Sequence, residues 1–301
     1  MEYRYNYLNE YLKEKFGERT LKICIDGGFT CPNRDGKVGT GGCIFCGERG
    51  SGEHLKKDSI TLQVENYLKS ERSKRANKYI VYFQNFTNTY AKVEELKEKY
   101  DAALIDDRIV GIDIATRPDE INEEVVKLLK SYKPQYYVWV ELGLQTSSDE
   151  TGRLINRGYD KLVFEKAVKL LRNADIDVVT HIMVGLPNET IDDIKKTVDY
   201  LNLQDINGIK IHSTYVIKGT VLEKMYNDKK YVPITYDEYM ESLFYIITHL
   251  RKDIIIHRFS GDPPKEDLVA PIWMNHKKWI LNGLNKYMQD NNLYQGIYFN
   301  K

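Results

Sequence analysis

The regular alternation of strand-like and helical segments is the feature that most constrains the fold of this chain. Between residues 21 and 212, six apolar or β-rich runs are separated by helical patterns. The runs comprise residues 21–25, 78–83, 110–115, 135–142, 176–184 and 208–212. Strands that alternate with helices of about 10–15 residues indicate βαβ units and a parallel sheet. The pattern therefore predicts an α/β fold, and it favours a partial or complete barrel over a doubly wound open sheet.

The segments outside this alternation predict additions to the barrel. Residues 5–16 have a helix-like pattern, and no internal repeat or long linker divides the chain. A helix, a strand and a last helix are expected over residues 236–250, 253–258 and 275–289. We predict that residues 1–215 form the barrel with its N-terminal helix. Residues 216–301 are expected to form a C-terminal α/β extension that packs on the barrel and offers a substrate-binding face.

Composition narrows the class of protein. The chain has 301 residues with 44 basic and 44 acidic side chains, so its formal net charge is zero. Because aromatic residues reach 12%, intrinsic disorder is not expected. A balanced charge gives no general attraction to nucleic acid or membranes, although it is compatible with a local basic face. The first residues lack an apolar signal-peptide core, and no apolar run approaches about 18 residues. We therefore expect a cytoplasmic protein with no membrane partner.

The cysteines indicate an inorganic site. All four lie between residues 24 and 46, and Cys43 and Cys46 form a C-x-x-C turn. Eleven residues, several of them glycines, separate Cys31 from Cys43. Four thiolates would close a tetrahedral zinc site, whereas three would hold an iron–sulfur cluster with one open iron. Cys24 lies inside a strand-like run, which favours three ligands and one core cysteine. The zinc site remains the alternative.

Ordered motifs along the chain resemble those of a known family. The cysteine segment resembles the cluster loop of the radical SAM superfamily, and more narrowly that of the YhcC/YtqA-like family, relatives of the elongator catalytic subunit. The eleven-residue spacing departs from the superfamily's usual three residues but matches this longer-loop subgroup. Further matching segments are Ala115-Thr116-Arg117-Pro118-Asp119, Glu141-Leu142-Gly143-Leu144-Gln145-Thr146, Asn156-Arg157-Gly158, Met183-Val184-Gly185-Leu186-Pro187-Asn188-Glu189-Thr190 and Arg258-Phe259-Ser260-Gly261-Asp262-Pro263-Pro264, with Ala270-Pro271 and Trp273.

The resemblance implies a fold and two cofactors. The family fold is a partial TIM-like (β/α)6 barrel, with the active site at the C-terminal ends of the strands. The implied 4Fe–4S cluster is held by three cysteines, which map to Cys31, Cys43 and Cys46 in a loop over residues 26–52. S-adenosylmethionine (SAM) binds the open iron and is cleaved reductively to a 5′-deoxyadenosyl radical.

The resemblance also implies residues that bind SAM. Arg157 is the expected partner of the SAM carboxylate, and Gln145 and His181 are expected near the ribose. Gln84 and Asn85 occupy the place of the superfamily's G-G-E element, so they are the candidates for the ammonium contact. Arg117 is a further candidate for cofactor binding, and it could pair with a carboxylate or with Asp113 or Glu141. Glu141 is the last candidate for cofactor binding, and the alternative for it is a buried structural role.

The implied substrate is tRNA. Family members are linked to modification of the wobble uridine, in which a 5-carboxymethylaminomethyl group becomes a 5-aminomethyl group. A low-potential electron donor such as flavodoxin or ferredoxin is an expected partner, and a downstream methyltransferase is a further candidate. A basic C-terminal segment with two tryptophans is the expected contact face: Arg251, Lys252, Arg258, Lys265, Lys277 and Lys278 with Trp273 and Trp279. The alternatives are a radical SAM enzyme for a small-molecule or protein substrate, and a structural zinc-binding protein.

Overall fold

The computed structural model of the chain describes residues 3–50, 55 and 57–299, except for the side chain of Lys277. Residues 51 and 52 of the predicted cluster loop therefore lie outside the described residues, as does the Lys277 side chain of the predicted basic segment.

One parallel sheet of seven strands forms the centre of the molecule, in the order β1-β2-β3-β4-β5-β6-β8. Its strands are β1 Thr20–Ile25, β2 Lys78–Phe83, β3 Ile109–Thr116, β4 Tyr137–Gln145, β5 Asp177–Val184, β6 Gly208–Ser213 and β8 Ile255–Arg258. The short strands β7 Val216–Ile217 and β9 Leu268–Ala270 form a separate antiparallel pair. The predicted α/β fold is confirmed. The barrel sheet, however, has seven strands instead of six, because β8 comes from the C-terminal extension.

Ten α-helices in the described part of the chain accompany the sheet. They are α1 Leu8–Phe16, α2 Ile60–Leu68, α3 Val93–Asp101, α4 Glu123–Tyr132, α5 Asp149–Leu154, α6 Lys161–Asn173, α7 Ile191–Asn202, α8 Val221–Asn227, α9 Tyr236–His249 and α10 Lys277–Asp290. Side-chain caps begin several of them, such as Asp160 for α6, because the first backbone N–H groups of a helix lack intrahelical partners. None of these helices is long and apolar enough to cross a membrane.

The lumen of the curled sheet is apolar at one end and polar at the other. At the N-terminal ends of the strands, α1 packs Leu12 against Ile80, Trp139 and Val179, all of which are buried. The outer face of the sheet carries the main apolar core against the helices. The lumen is therefore closed below by α1, while the C-terminal ends of the strands remain available for a site.

The N-terminal segment extends the sheet beyond β8. Tyr7 forms a parallel bridge with Ile256, whose backbone N–H donates to the carbonyl of Asn6 at 2.8 Å. The buried Gln295 then accepts from the backbone N–H of Asn6 at 2.9 Å and donates to the carbonyls of two neighbouring residues. Within the described ranges, no strand pairing joins β1 to β8. The barrel is therefore partial, with an open side between these two strands.

Candidate cofactor and active site

A cavity opens at the C-terminal ends of the strands, where the sequence predicted the site. We call it the cluster cavity. Its walls include residues from the loop after β1 and from the ends of β2, β3, β4 and β5. Among them are Cys31, Arg34, Cys43, Cys46, Tyr82, Gln84, Arg117, Glu141, Gln145, Tyr159 and His181. Because the carboxyl ends of parallel strands meet at one mouth, residues far apart in sequence converge here.

The cysteine loop is held against the barrel mainly by backbone carbonyls and two asparagines, one of which, Asn33, also donates to Sγ of Cys43 at 3.9 Å. Asn156 donates its side-chain N–H to the carbonyl of Gly42 at 2.7 Å, and Asn33 donates to the carbonyl of Asn156 at 2.6 Å. The backbone N–H of Cys46 donates to the carbonyl of Cys43 at 2.9 Å, which closes the C-x-x-C turn. Gly41 and Gly42 have positive φ angles that favour glycine. The backbone therefore fixes the loop, and the three thiols remain on the cavity wall.

The three candidate ligand thiols share one cavity. Cys31, Cys43 and Cys46 all border the cluster cavity. In the described part of the chain, no group of three His, Cys, Asp or Glu side chains is arranged closely enough to hold a metal ion. Burial, together with the neighbouring Cys46, raises the pKa of the Cys43 thiol to about 12. Three thiols around open space match the donor set of a cluster with one open iron.

Cys24 is not the core residue that the sequence predicted. It alternates with two buried isoleucines along β1, so its side chain faces the lumen and is exposed. The surrounding lumen walls raise the pKa of its thiol, an effect that the charges of Lys22, Lys210 and Arg258 oppose. Cys24 lies outside the walls of the cluster cavity. It is therefore a lumen thiol separate from the three candidate ligands.

The two predicted arginines differ in position. Arg117 lines the cluster cavity and forms a bidentate pair with Asp119, at 2.9 and 2.6 Å, instead of the predicted pair with Asp113 or Glu141. Burial opposes its charge, yet Asp119 raises the pKa of Arg117. A further N–H of Arg117 donates to the carbonyl of Arg157 at 2.9 Å. Arg117 therefore keeps its charge on the cavity wall.

Arg157 does not line this cavity. Its side chain is fully buried and donates to the carbonyls of Leu144, Thr146 and Tyr159 at 2.7 to 2.9 Å. Asp149 accepts a fourth hydrogen bond at 2.9 Å. Because the guanidinium is already bonded on both sides, it ties the end of β4 to the following loop. The structure therefore places Arg157, the predicted partner of the SAM carboxylate, outside the cavity that Arg34 and Arg117 line.

The segment after β2 is divided between cavity and core. Gln84 lines the cluster cavity, as do Phe86 and Thr87. Asn85 is buried outside the cavity wall, and its side-chain amide makes no hydrogen bond to the residues that the structure describes. Of the two residues predicted to contact the ammonium group, only Gln84 is in a position to do so.

Glu141 forms the floor of the cluster cavity with a buried ionic network. Its carboxylate accepts from Lys22 at 3.0 Å and also pairs with Lys210, while Lys22 lies 2.6 Å from Asp113. Burial alone would raise the pKa of Glu141, but Lys210 and Lys22 hold it well below its ordinary value. Burial lowers the pKa of Lys210 to about 8, so this side chain remains mostly protonated near neutral pH. Glu141 is therefore an ionised anchor beneath the cavity.

The ring of His181 is oriented by that anchor. Its Nε2 lies 2.8 Å from a carboxylate oxygen of Glu141, and burial lowers the pKa of His181. A neutral imidazole beside an ionised carboxylate donates through Nε2, so we assign the acceptor lone pair to Nδ1. His181 lines the cluster cavity and is therefore placed to accept a hydrogen bond from a bound molecule.

Gln145 ends β4 in a left-handed conformation, with a φ of 61°. Tyr159 donates to the Gly143 carbonyl at 2.7 Å and lies 3.3 Å from the side-chain oxygen of Gln145. A Cβ on residue 143 would lie 2.5 Å from Nε2 of Gln145, so a larger residue there would displace this amide. The predicted cofactor residue Gln145 is thereby turned into the cavity.

A second cavity adjoins the first, and we call it the His212 cavity. It shares Cys46, Gln145 and His181 with the cluster cavity, and it adds Phe45, Met183, His212, Ser213, Tyr215 and Ile217. Burial lowers the pKa of His212 well below its ordinary value, with His181 contributing. Nε2 of His212 is buried and makes no hydrogen bond to the described residues. Neutral polar and aromatic groups therefore line this cavity.

The C-terminal segment offers part of the predicted basic face. Lys265, His276, Lys278 and Trp279 line a shallow surface cavity that we call the Trp279 surface. The ring of Trp279 is 55% exposed and stacks on His276 with centroids 4.0 Å apart. Arg251 is instead bonded to the carbonyls of Asn202 and Gln204, and Trp273 to that of Ile234. These latter two side chains therefore hold the fold together.

Sequence comparison assigns the family. The profile described as Radical SAM superfamily matches residues 33–201, more than half of the chain. The chain belongs to the radical SAM superfamily. A second profile, the Radical_SAM C-terminal domain, matches residues 206–290 of this radical SAM protein.

Individual proteins similar to this chain indicate its relatives within the superfamily. The "Uncharacterized protein YtqA" of Bacillus subtilis is 40% identical over 100% of this chain and 94% of its own length, which confirms the predicted YtqA-like membership. A "tRNA uridine(34) acetyltransferase" of Methanocaldococcus infernus is 30% identical over 62% of this chain and 34% of its own length. The solved structure of archaeal Methanocaldococcus infernus Elp3 has a TM-score of 0.68 and 20% identity, covering 92% of this chain and 64% of that one. This last likeness shows the fold, and our chain spans less than two thirds of the Elp3 chain.

Sequence reasoning missed two lysines of this radical SAM site. Lys22 and Lys210 lie in strands where polar and apolar residues alternate. Such alternation is typical of a strand with one solvated face. In a partial barrel, however, the polar face can point into the lumen. The signal that could have revealed Lys22 and Lys210 was a charged residue at an alternating position of a parallel strand.

Proposed function

We propose that this chain is a radical SAM enzyme that modifies the wobble uridine of tRNA, converting a 5-carboxymethylaminomethyl group to a 5-aminomethyl group. The observation that carries the radical SAM part is the convergence of Cys31, Cys43 and Cys46 on one cavity at the barrel mouth. When bound there, a 4Fe–4S cluster would supply the electron that cleaves SAM to methionine and a 5′-deoxyadenosyl radical.

The protein's own residues would bind and orient SAM. Arg34 and Arg117 line the cluster cavity, so their positive charge favours a carboxylate there, while their N–H groups hold Asp119 and nearby backbone carbonyls. Gln84 offers its amide to the ammonium group. Gln145 and the Nδ1 acceptor of His181 lie across the cavity and suit the hydroxyl groups of a ribose. Below the ionic floor at Glu141, the apolar cluster around Leu12 closes the lower end of the lumen.

Two observations support tRNA as the substrate. The relative named tRNA uridine(34) acetyltransferase shares 30% identity over 62% of this chain. The Trp279 surface carries two lysines and an exposed aromatic ring, which suit phosphates and an unstacked base. Its Met274 accepts a hydrogen bond from Ser213 of the His212 cavity, so the two regions are adjacent. A base that is displaced from the tRNA stack could therefore reach the barrel mouth.

The proposed reaction needs an electron donor and gives a product that a second enzyme could use. The 5′-deoxyadenosyl radical would take a hydrogen atom from the methylene beside the carboxylate. Loss of a second electron to a one-electron acceptor such as the oxidised iron–sulfur cluster, with loss of a proton, would give an imine, whose hydrolysis would release glyoxylate and leave the primary amine. Reductive cleavage of SAM needs a low-potential electron donor, for which flavodoxin or ferredoxin is the proposed class. The aminomethyl product has a primary amine, which a downstream methyltransferase could methylate.

The test combines SAM cleavage with nucleoside analysis. The protein is reconstituted anaerobically with iron and sulfide, then incubated with SAM, a reductant and tRNA from cells that lack the gene. We expect 5′-deoxyadenosine to form and 5-aminomethyluridine to accumulate at the expense of the carboxymethylated nucleoside. The Cys43→Ala variant is the matched inactive control.

The other outcomes separate the alternatives. Formation of 5′-deoxyadenosine with no change in any wobble uridine would reject tRNA as the substrate and favour a small molecule or a protein. Bound zinc without iron after reconstitution would reject radical chemistry and favour a structural zinc site.

A further inference from the structure

The lumen below the two cavities holds more positive than negative charge. Lys22 and Lys210 project into it from β1 and β6, and Asp113 and Glu141 face them from β3 and β4. Both lysines already contact these carboxylates. The third cation is Arg258 at the end of β8. It begins the C-terminal segment that resembles the family, and it takes no part in the proposed SAM site.

A β-bulge turns Arg258 toward this lumen. Ile209 of β6 pairs with Ile256 of β8, but the next residue, Lys210, pairs with Arg258. His257 is thus the extra residue of β8, and the strand's alternation shifts by one position. Arg258 consequently has the register of Lys210, whose side chain faces the lumen. Without the bulge, Arg258 would share the face of Ile256, which belongs to the apolar core.

Four lumen groups are close enough to be affected by the charge of Arg258, namely Cys24, His181, Lys210 and His212. After burial and the charge of His181, it contributes to the lowered pKa of His212. It also contributes to the lowered pKa of His181 and opposes the raised pKa of Cys24. These residues lie on β1, β5 and β6, so the charge of Arg258 on the edge strand β8 acts on groups across the lumen and on both sides of the open edge.

Arg258 lacks a close anionic partner among the described residues. Its guanidinium lies 3.9 Å from Asp262, beyond hydrogen-bond range, and 38% of its side chain is exposed. An arginine in this setting can offer two parallel N–H donors to a carboxylate. The unpartnered Nε2 of His212 adds a nearby polar group.

We propose that Arg258 is the substrate's anion-binding residue and that it selects substrates with a carboxylate at the open side of the barrel. This assignment rests on the proposed function, in which the carboxylate is that of the 5-carboxymethylaminomethyl group. Arg258 binds this end of the modified base while the reacting methylene lies toward the cluster cavity.

The first test needs no tRNA and uses Cys24 as the reporter. In the cluster-loaded protein, the three ligand thiols are protected, and Cys24 is alkylated with either anionic iodoacetate or neutral iodoacetamide. Peptide mass spectrometry follows the rate at this residue. We expect Arg258→Gln to lower the ratio of iodoacetate to iodoacetamide rates about fivefold, because one cation near the thiol is removed. Arg258→Lys should retain most of the ratio.

Arg75→Gln is the matched control, since Arg75 is exposed and precedes β2 at the other end of the barrel. It should leave the ratio unchanged. An unaltered ratio in Arg258→Gln would overturn the proposal. An equal fall of both rates would also overturn it, because that result reports altered access to the thiol instead of anion attraction.

The second test compares two tRNAs that differ only in the wobble group, carboxymethylaminomethyl or aminomethyl. We expect Arg258→Gln to weaken binding of the carboxylated tRNA about tenfold and to leave the other unchanged. Equal weakening of both would reassign Arg258 to a phosphate contact and overturn carboxylate selection. If the wild-type protein binds neither tRNA specifically, the tRNA function fails, while the alkylation ratio still decides whether Arg258 forms an anion subsite.

Discussion

At the level of single residues, the four cysteines have two different roles. Cys31, Cys43 and Cys46 border the cluster cavity, whereas Cys24 points into the lumen from β1. We predict that Cys43→Ala abolishes the broad absorbance near 400 nm of the reconstituted protein, because a cluster needs all three thiolates. Cys24→Ala should retain that absorbance and the bound iron. Loss of iron from the Cys24 variant would show that our ligand set is wrong.

Glu141 provides a prediction about stability. Its carboxylate compensates two lysines in the lumen. Glu141→Gln should lower the free energy of unfolding by about 3 kcal/mol, because the removal of one partner leaves buried charge uncompensated. Urea denaturation measures this loss, and Glu124→Gln on the exposed face of α4 is the control. A change no larger than that of the control would contradict the buried network.

The pH dependence follows from the same carboxylate. Its pKa in the folded protein is held well below the ordinary value, so its contribution to stability is complete above the unfolded pKa of about 4.3. The contribution is lost as the pH falls below that value through the folded pKa. The difference in stability between wild type and Glu141→Gln should therefore be constant near neutral pH and shrink in acid. A difference that grew in acid would refute the assigned ionisation.

Residue identities in motifs were predictable, but their contacts were less so. The sequence indicated that Cys31, Cys43 and Cys46 would meet Gln145 and His181 at one mouth, and all five line the cluster cavity. Arg157 and Asn85 follow strands in the same way, yet both side chains are buried away from it. Whether a polar side chain faces a cavity or backbone carbonyls depends on the path of one loop. Residue type and spacing leave that path undetermined.

At the level of secondary structure, α1 seals the lower lumen. Leu12 is buried among Ile80, Trp139 and Val179. We predict that Leu12→Ala lowers the free energy of unfolding by about 2–5 kcal/mol, because it leaves a cavity among rigid strands. Leu162→Ala on the exposed face of α6 is the control and should cost little. The cluster absorbance of Leu12→Ala should be unchanged, since the thiols lie at the opposite end of the strands. Loss of the cluster would show that α1 also supports the mouth.

Strand β8 illustrates the limit of local patterns. The sequence indicated a strand over residues 253–258 and assigned it to an extension, whereas the structure pairs it with β6 as the seventh barrel strand. Its four residues carry little periodicity, and its partner lies more than forty residues earlier. The bulge that orients Arg258 depends on this pairing. A change of register of this kind leaves no regular signal in one strand's sequence.

At the level of the whole molecule, a zero net charge is compatible with a local binding face. The Trp279 surface combines Lys265 and Lys278 with a half-exposed ring. We predict that Lys278→Gln weakens tRNA binding and reduces the slope of log K against log salt by about 1, the value for one lost phosphate contact. Filter binding at several salt concentrations measures the slope. Lys166→Gln on α6 is the control, and an equal slope in the two variants would contradict this face.

The class of fold was predictable because hydrophobic periodicity alone fixes the order of strands and helices. The arrangement of the lumen was not, since it depends on pairs such as Lys210 with Glu141 that are 69 residues apart. Long-range pairs of this kind are chosen by the completed sheet. No short segment of the sequence shows them.

The bridge between Tyr7 and Ile256, together with the bond from Asn6 to Gln295, has a consequence for synthesis on the ribosome. The first segment emerges about 250 residues before the strand that it must join. During translation the N-terminal segment therefore has no strand partner while β1 to β6 form. A nascent chain arrested before β8 would lack the last strand of the barrel, the partner of its own N-terminal segment, and Arg258 together.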